Sequence, residues 1–137
     1  MIKKVDHVAI AVQDMGEARA FYRDVLGLPC SEVTELHGQG GFRTLLCFVS
    51  LGNAELELMQ PLQEEDTLGR FLNERGEGLH HVCLEVDNLR QTVGELQDRG
   101  VRLRYNGQHR SGKLDFLYPQ ECKGVLIELL EKPGPVH

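Results

Sequence analysis

The sequence has no apolar run that approaches the roughly 20 residues needed to cross a bilayer as a helix. Hydrophobic residues make up 41% and charged residues 26% of the 137 residues, which is ordinary for a globular chain. The amino terminus leads directly into an alternating strand pattern, without the apolar core and small-residue cleavage site of a secretion signal. We therefore expect a soluble, cytoplasmic protein with no membrane partner and a single domain over residues 1–137.

Closely spaced cysteine pairs and a surplus of basic residues are also absent. Cys30, Cys47, Cys83 and Cys122 stand singly, without the spacing of a zinc knuckle. A chain of this length does not need disulfides to hold its core, so we expect reduced, mostly buried thiols. The formal net charge of −6 argues against nucleic acid as a partner, because phosphate binding usually requires a basic surplus.

Internal repetition organises what is present. The segment "DHVAIAVQDM" from Asp6 aligns with "HHVCLEVDNL" from His80, which places His7 on His81. The segment "AELELM" from Ala54 aligns with "VLIELL" from Val125. The chain therefore consists of two similar modules, over about residues 1–62 and 78–131, joined by a linker over about 63–77.

Each module is predicted to read strand, helix, then three strands. Asp14 and Asn88 are the expected helix N-caps, and Gly27 and Gly100 mark where the helices end. The linker contains a short amphipathic helix. After the opening strands, the predicted helices cover 15–26, 67–75 and 89–99, and the predicted strands cover 28–36, 44–51, 54–60, 101–105, 113–118 and 125–130.

Strand periodicity places two histidines and two glutamates at matching positions of the repeat. Alternation puts His7 and His81 on the face opposite the apolar positions of their strands. Glu57 and Glu128 each lie between two apolar neighbours and so also point away from the packed face. His80 is out of phase and is expected to be exposed.

The ordinary alternatives are a surface histidine at a strand start and a solvated glutamate that discourages edge pairing. Four such residues at repeat-matched positions favour a metal site instead. Imidazoles and carboxylates without a thiolate suit a divalent ion such as Co, Ni, Mn, Zn, Fe or Mg. Four protein ligands leave positions open for substrate, which favours catalysis over a structural role.

The segments "DHVAIAV", "FYRDVLGL", "LGNAELELMQPL", "RGEGLHHVCLEVDN" and "GVLIELLEK" resemble the vicinal oxygen chelate superfamily, which includes glyoxalase I and extradiol dioxygenases. The resemblance is strongest to its methylmalonyl-CoA epimerase branch. It implies an α+β fold in which two βαβββ modules form a curved mixed sheet around a metal site. It also implies a homodimer, with His7, Glu57, His81 and Glu128 as the metal ligands.

The resemblance further implies proton transfer α to the carbonyl of an acyl thioester, CoA-linked in this branch, with Glu128 as both ligand and base. Some members carry a second acid on the strand before "ELxxPL", but "GGFRTLLCFVSL" contains no acid. Thr44 lies near the expected place. Asp115 is the other candidate, with an ordinary strand aspartate as its equal alternative.

The segment "QHRSGK" also departs from the glycine-rich stretch usual in the epimerase branch, so substrate contacts are expected to differ. Nearby basic residues either meet the phosphates of a CoA-like tail or form a solvated face. These residues are Arg102, Arg104, Arg110 and Lys113.

Three rival functions share this fold. A lactoylglutathione lyase of the glyoxalase I type usually has Thr-x-Asn after the strand glutamate, where this chain has Met59, Gln60 and Pro61. Extradiol dioxygenases are commonly longer and use two histidines and one glutamate on Fe(II). A small-molecule binding protein of the bleomycin-resistance type, or a scaffold, does not need all four ligands.

Overall fold

The structure is a computed structural model that describes residues 1–133. The chain divides into two compact units, one formed by His7–His80 and the other by Met1–Asp6 together with His81–His137. We call these the N-unit and the C-unit. The single domain predicted over the whole chain stays a prediction.

The elements follow the predicted order, with a strand, a helix and further strands in each module. The helices are α1 (Met15–Ala20), α2 (Thr67–Arg75) and α3 (Leu89–Asp98). Helix α1 continues as a π-helix over Phe21–Val25, and short 3-10 turns lie at Gln39–Gly41 and Pro119–Cys122. The strands are β1 (Ile2–Ala11), β2 (Thr34–His37), β3 (Arg43–Ser50), β4 (Glu55–Pro61), β5 (Gly78–Val86), β6 (Leu114–Leu117) and β7 (Ile127–Glu131). The predicted α+β class is confirmed.

In the N-unit the strands lie in the order β2-β3-β4-β1. Strand β1 runs parallel to β4 with Ala9 opposite Glu57, and β3 runs antiparallel to β4 with Phe48 opposite Glu57. Ile10 belongs to the hydrophobic core on the other face, as the alternation predicts. The buried members of that core are Val12, Met15, Cys47, Val49 and Leu58.

In the C-unit the order is β5-β7-β6. Strand β5 runs parallel to β7 with Cys83 opposite Glu128, and β6 runs antiparallel to β7 with Phe116 opposite Glu128. Each unit therefore contains a mixed sheet with its glutamate at the same point of the register. The core between α3 and this sheet contains Val86, Leu89, Val93, Leu103, Leu117 and Leu129.

The helices begin where side-chain oxygens can satisfy their first backbone N–H groups. Asp14 accepts from the N–H of Glu17, and Asn88 accepts from that of Gln91. Both predicted N-caps are confirmed. Asp66, which was not among the predicted N-caps, caps α2 by accepting from the N–H of Gly69.

One predicted strand of the second module is almost lost. Residues 101–105 pair with β6 only through an isolated bridge between Leu103 and Leu117. Beyond that bridge the carboxylate of Asp115 accepts the N–H groups of Tyr105 and Gly107, at 2.9 and 2.8 Å. A side chain has taken the donors that a longer strand would have paired, so the ladder stops.

His80 also differs from its prediction. Its side chain is half-buried, and its ring lies edge-on to Phe71 of α2 with 4.8 Å between the ring centroids. The prediction of an exposed residue was wrong because α2 packs a ring against this end of β5.

All four cysteines are thiols that form no disulfide, as predicted, and all four lie in the described part of the chain. Cys47 and Cys83 are buried, and burial raises the pKa of the Cys30 and Cys122 thiols. Across residues 1–133, no helix combines the length and the apolar character that a membrane span requires.

Gly69 and Gly94 give opposite predictions for the same substitution. A Cβ at Gly69 would collide with the carbonyl oxygen of Gln63 and lie 2.7 Å from that of Glu64. Gly69→Ala should therefore lower the free energy of unfolding by about 2 kcal/mol or more. A Cβ at Gly94 meets no atom within 4 Å, so Gly94→Ala should raise it by about 0.5–1 kcal/mol. Urea denaturation of both variants measures the difference, and equal effects would contradict the close approach at Gly69.

Glu131 links α3 to β7 and predicts a pH dependence. Its carboxylate accepts from Lys113 Nζ at 2.7 Å and from the backbone N–H of Leu89 at 2.8 Å, and these bonds lower the pKa of Glu131. A lowered folded-state pKa stabilises the fold above the unfolded value, about 4.3 for glutamate, and this contribution is lost as the pH falls through the folded value. Glu131→Gln should therefore destabilise the protein above about pH 5. The difference from the parent should disappear in acid, as denaturation at several pH values would show.

Candidate active site

One histidine–glutamate pair lies in the N-unit, on the face of the sheet opposite its core. Ala9 pairs with Glu57, and His7 lies two residues before Ala9 on the same face. This register brings His7 Nε2 to 3.8 Å from Glu57 Oε1. The His7 side chain is 7% exposed and that of Glu57 13% exposed, so both groups are largely removed from solvent.

A second pair lies in the C-unit and repeats this arrangement. Cys83 pairs with Glu128, and His81 lies two residues before Cys83. His81 Nε2 is 3.1 Å from Glu128 Oε1, with side-chain exposures of 6% and 11%. The repeat found in the sequence therefore places one imidazole beside one carboxylate in each unit.

Each of these pairs is accompanied by a phenylalanine that the sequence analysis missed. Phe48 lies opposite Glu57 in the β3–β4 ladder, and its ring is edge-on to His7 at a centroid distance of 6.5 Å. Phe116 lies opposite Glu128 and is edge-on to His81 at 5.8 Å. Both distances are within the range of favourable aromatic pairs. Aligning "CFV" with "DFL" in the repeat would have found them.

The donors in the two pairs fit a divalent metal ion. Imidazole nitrogens and carboxylate oxygens are ligands for Zn, Fe, Co, Ni and Mn, and oxygens alone suit Mg. Burying an ionised carboxylate is costly unless a positive group lies beside it. His7 and Glu57 belong to a group of side chains whose ligand atoms are close enough to hold one ion. The protein thus contains a possible metal-binding group.

Asp115 lies on the other side of its sheet from Glu128. It pairs with Leu129 of the core, whereas the next residue, Phe116, pairs with Glu128. Directly paired residues of an antiparallel ladder point to the same face. Asp115 is fully buried and its carboxylate is bonded to backbone N–H groups. Its suggested role in proton transfer stays a prediction, and its position favours a structural role.

Thr44 shares a face with Phe48, since the two are four residues apart in β3. It pairs with Pro61 at the far end of β4. Four residues of strand span about 13 Å, so Thr44 is not a direct neighbour of Glu57. Its suggested catalytic role also stays a prediction.

The basic residues proposed for phosphate contacts are exposed and partly neutralised. Arg102 pairs with Glu121 at 3.1 Å and also lies over the ring of Tyr118. Lys113 pairs with Glu131 at 2.7 Å. Arg104 and Arg110 are exposed as well. Binding of phosphate by these residues stays a prediction.

The sequence of this chain is similar to those of known proteins. The sequence model of the Glyoxalase/Bleomycin resistance protein/Dioxygenase superfamily matches residues 6–118. The mitochondrial methylmalonyl-CoA epimerase of Mus musculus is 40% identical over 131 residues, which cover 92% of this chain and 71% of that protein.

Solved structures agree with the sequence comparison. The methylmalonyl-CoA epimerase of Mycobacterium tuberculosis superposes with a TM-score of 0.81 and 34% identity, covering 98% of this chain and 90% of that one. A variant of the Streptomyces coelicolor methylmalonyl-CoA epimerase, in complex with 2-nitronate-propionyl-CoA, also has a TM-score of 0.81. It is 26% identical and covers 98% of this chain and all of its own.

Proposed function

The chain belongs to the glyoxalase/bleomycin resistance protein/dioxygenase superfamily, and we propose that within it the protein is an isomerase that epimerises methylmalonyl-CoA. One observation carries this proposal. A largely buried His–Glu pair recurs in both units, in a chain that matches a methylmalonyl-CoA epimerase over more than nine-tenths of its length. The reaction is transfer of the proton α to the thioester carbonyl.

The proposed metal ligands are His7, Glu57, His81 and Glu128. The sequence repeat, the equal register of both glutamates and the donor chemistry support this assignment. A bound divalent ion such as Co, Ni, Mn, Zn, Fe or Mg supplies positive charge that stabilises the developing negative charge on a carbonyl oxygen.

Glu128 is the proposed proton acceptor. Its carboxylate lies at 3.1 Å from the imidazole of His81 and is almost fully buried, which holds it in one orientation and restricts access of water. When the α C–H bond breaks, the proton passes to a Glu128 oxygen and the electron pair moves toward the thioester carbonyl oxygen. Return of a proton to the opposite face of the same carbon inverts its configuration.

In some epimerases a second acid lies on the strand before "ELxxPL". The corresponding segment here, "GGFRTLLCFVSL", contains no acid, so another group must return this proton. We assign the role to Thr44 or to a water molecule, since Thr44 lies on the same face of its sheet as Glu57. Asp115 is the less favoured candidate because it lies on the opposite face of its sheet from Glu128.

The substrate class follows from the relatives. One of the similar structures was solved with a propionyl-CoA analogue, and this supports a CoA-linked acyl thioester as the substrate here. Assembly as a homodimer and residence in the cytoplasm are further parts of the proposal, and they rest on the family resemblance and the composition.

Glu128→Gln should lower kcat for epimerisation by about 10²–10⁴, the range expected when a general base is removed, while the protein remains folded by circular dichroism. Glu74→Gln, which changes an exposed glutamate of α2, is the control and should retain activity. Full activity in Glu128→Gln would refute the assignment of the base.

His7→Ala should weaken metal binding by more than the roughly 10–100-fold expected from loss of an outer-shell partner. Titration of the metal-free protein with Co²⁺, followed by absorbance and calorimetry, measures this. The control is His37→Ala in the same unit, which removes an exposed imidazole paired with Glu35. Equal Co²⁺ affinity in both variants would exclude His7 as a ligand.

The test of the reaction is proton exchange in D₂O, followed by NMR with metal-reconstituted protein and methylmalonyl-CoA. We expect metal-dependent loss of the α-proton signal from the thioester and no turnover of a glutathione hemithioacetal. Turnover of the hemithioacetal alone would assign the protein to the lactoylglutathione lyase type instead.

A further inference from the structure

Asp115 is an ionisable residue buried in the core of the C-unit, with 0% exposure. A carboxylate at such a position is costly unless strong hydrogen bonds replace its hydration. Its Oδ1 accepts from the N–H groups of Tyr105 and Phe116, at 2.9 and 2.8 Å, and its Oδ2 accepts from that of Gly107 at 2.8 Å. Three backbone donors therefore converge on this one side chain.

These bonds join β6 to the segment that borders it. Pairing of this segment with β6 includes the Leu103–Leu117 bridge and the bond from Arg104 N to Phe116 O. From Tyr105 onward the carboxylate of Asp115 replaces that pairing. The backbone N–H groups of Tyr105 and Phe116 thus both donate to the same carboxylate oxygen of Asp115.

The two anchored residues form an aromatic contact chain that ends at His81. The rings of Tyr105 and Phe116 are 6.4 Å apart, and the Phe116 ring is edge-on to His81 at 5.8 Å with an interplanar angle of 86°. Edge-on packing of this kind restrains the orientation of a ring. A shift of the Phe116 backbone would therefore be transmitted to the imidazole of His81.

The N-unit holds its own phenylalanine by different chemistry. Cys47 occupies the register position that corresponds to Asp115, since it pairs with the core residue Leu58 and precedes Phe48. There the N–H of Phe48 donates to the hydroxyl of Ser31 at 2.9 Å. Both units thus have an anchored phenylalanine beside a histidine, but only the C-unit uses a buried carboxylate for it.

From this geometry we infer that Asp115 is a positioning residue that sets the orientation of His81 through Phe116. Ser31 is its counterpart for His7 through Phe48. As a positioning residue, Asp115 transfers no proton. The inference rests on the proposed function in one respect, because that function is what gives His81 a role at the reaction site.

The test compares Asp115→Asn with Ser31→Ala in the full-length protein. The imidazole C–H signals of all histidines are recorded by ¹H–¹³C NMR without substrate or added metal and are assigned with single His→Gln variants. We expect Asp115→Asn to shift the signals of His81 and leave those of His7 unchanged. Ser31→Ala should do the reverse.

Two further measurements separate positioning from general loosening of the fold. Asp115→Asn should lower Co²⁺ affinity about 10–100-fold, as loss of an outer-shell partner does. It should also lower kcat by up to about 10², as a small misplacement at the site does, with KM changed by less than about twofold because substrate contacts outside the site are intact. The NMR comparison needs no turnover, so its failure is distinguishable from failure of the proposed epimerase activity.

Unchanged His81 signals in a folded Asp115→Asn variant would overturn the inference, whether or not kcat falls. A fall in kcat without movement of His81 would restore Asp115 as a candidate proton donor. If Asp115→Asn shifts the NMR signals of both His81 and His7, the role of Asp115 is structural and not specific to His81. If Asp115→Asn does not fold, the same readings are taken on Asp115→Ser, which keeps one oxygen acceptor, and failure of both variants to fold would reduce Asp115 to a folding residue.

Discussion

Holding an imidazole beside a carboxylate, both nearly excluded from water, is the constraint on which the rest of each unit depends. Such a pair has little hydration, so its position must be set by the backbone rather than by solvent. The parallel pairings of β1 with β4 and of β5 with β7 do this by fixing which residue lies opposite each glutamate. One helix and one core on the opposite face then hold each sheet in register.

The same architecture explains why the two halves resemble each other more in register than in sequence. His7 and His81 have the same relation to their glutamates and to their phenylalanines. The residues that support those phenylalanines differ, with a hydroxyl in the N-unit and a buried carboxylate in the C-unit. Proton-transfer chemistry constrains the groups that touch the reacting atoms, whereas their supports need only provide a hydrogen bond of suitable geometry.

The presence of Asp115 in the core of the C-unit also explains why residues 101–105 do not form the strand that the repeat predicts. The predicted strand over residues 101–105 follows the helix of the second module, yet its pairing with β6 ends with the bond from Arg104 N to Phe116 O. The carboxylate offers the backbone donors of the following residues a stronger, charge-assisted partner than a strand carbonyl. Hydrogen bonds to the Asp115 carboxylate thereby replace part of a strand, on the face of the sheet opposite Glu128.

The sequence by itself determined the α+β class, the two modules, the helix caps at Asp14 and Asn88, and the strand face that carries the two histidines and two glutamates. These follow from periodicity and local capping, which are properties of neighbouring residues. Only the tertiary structure decided that Phe48 and Phe116 accompany the histidines, that Asp115 faces the core and that His80 packs on Phe71. Those outcomes depend on cross-strand register and on packing between distant segments, which local patterns do not specify.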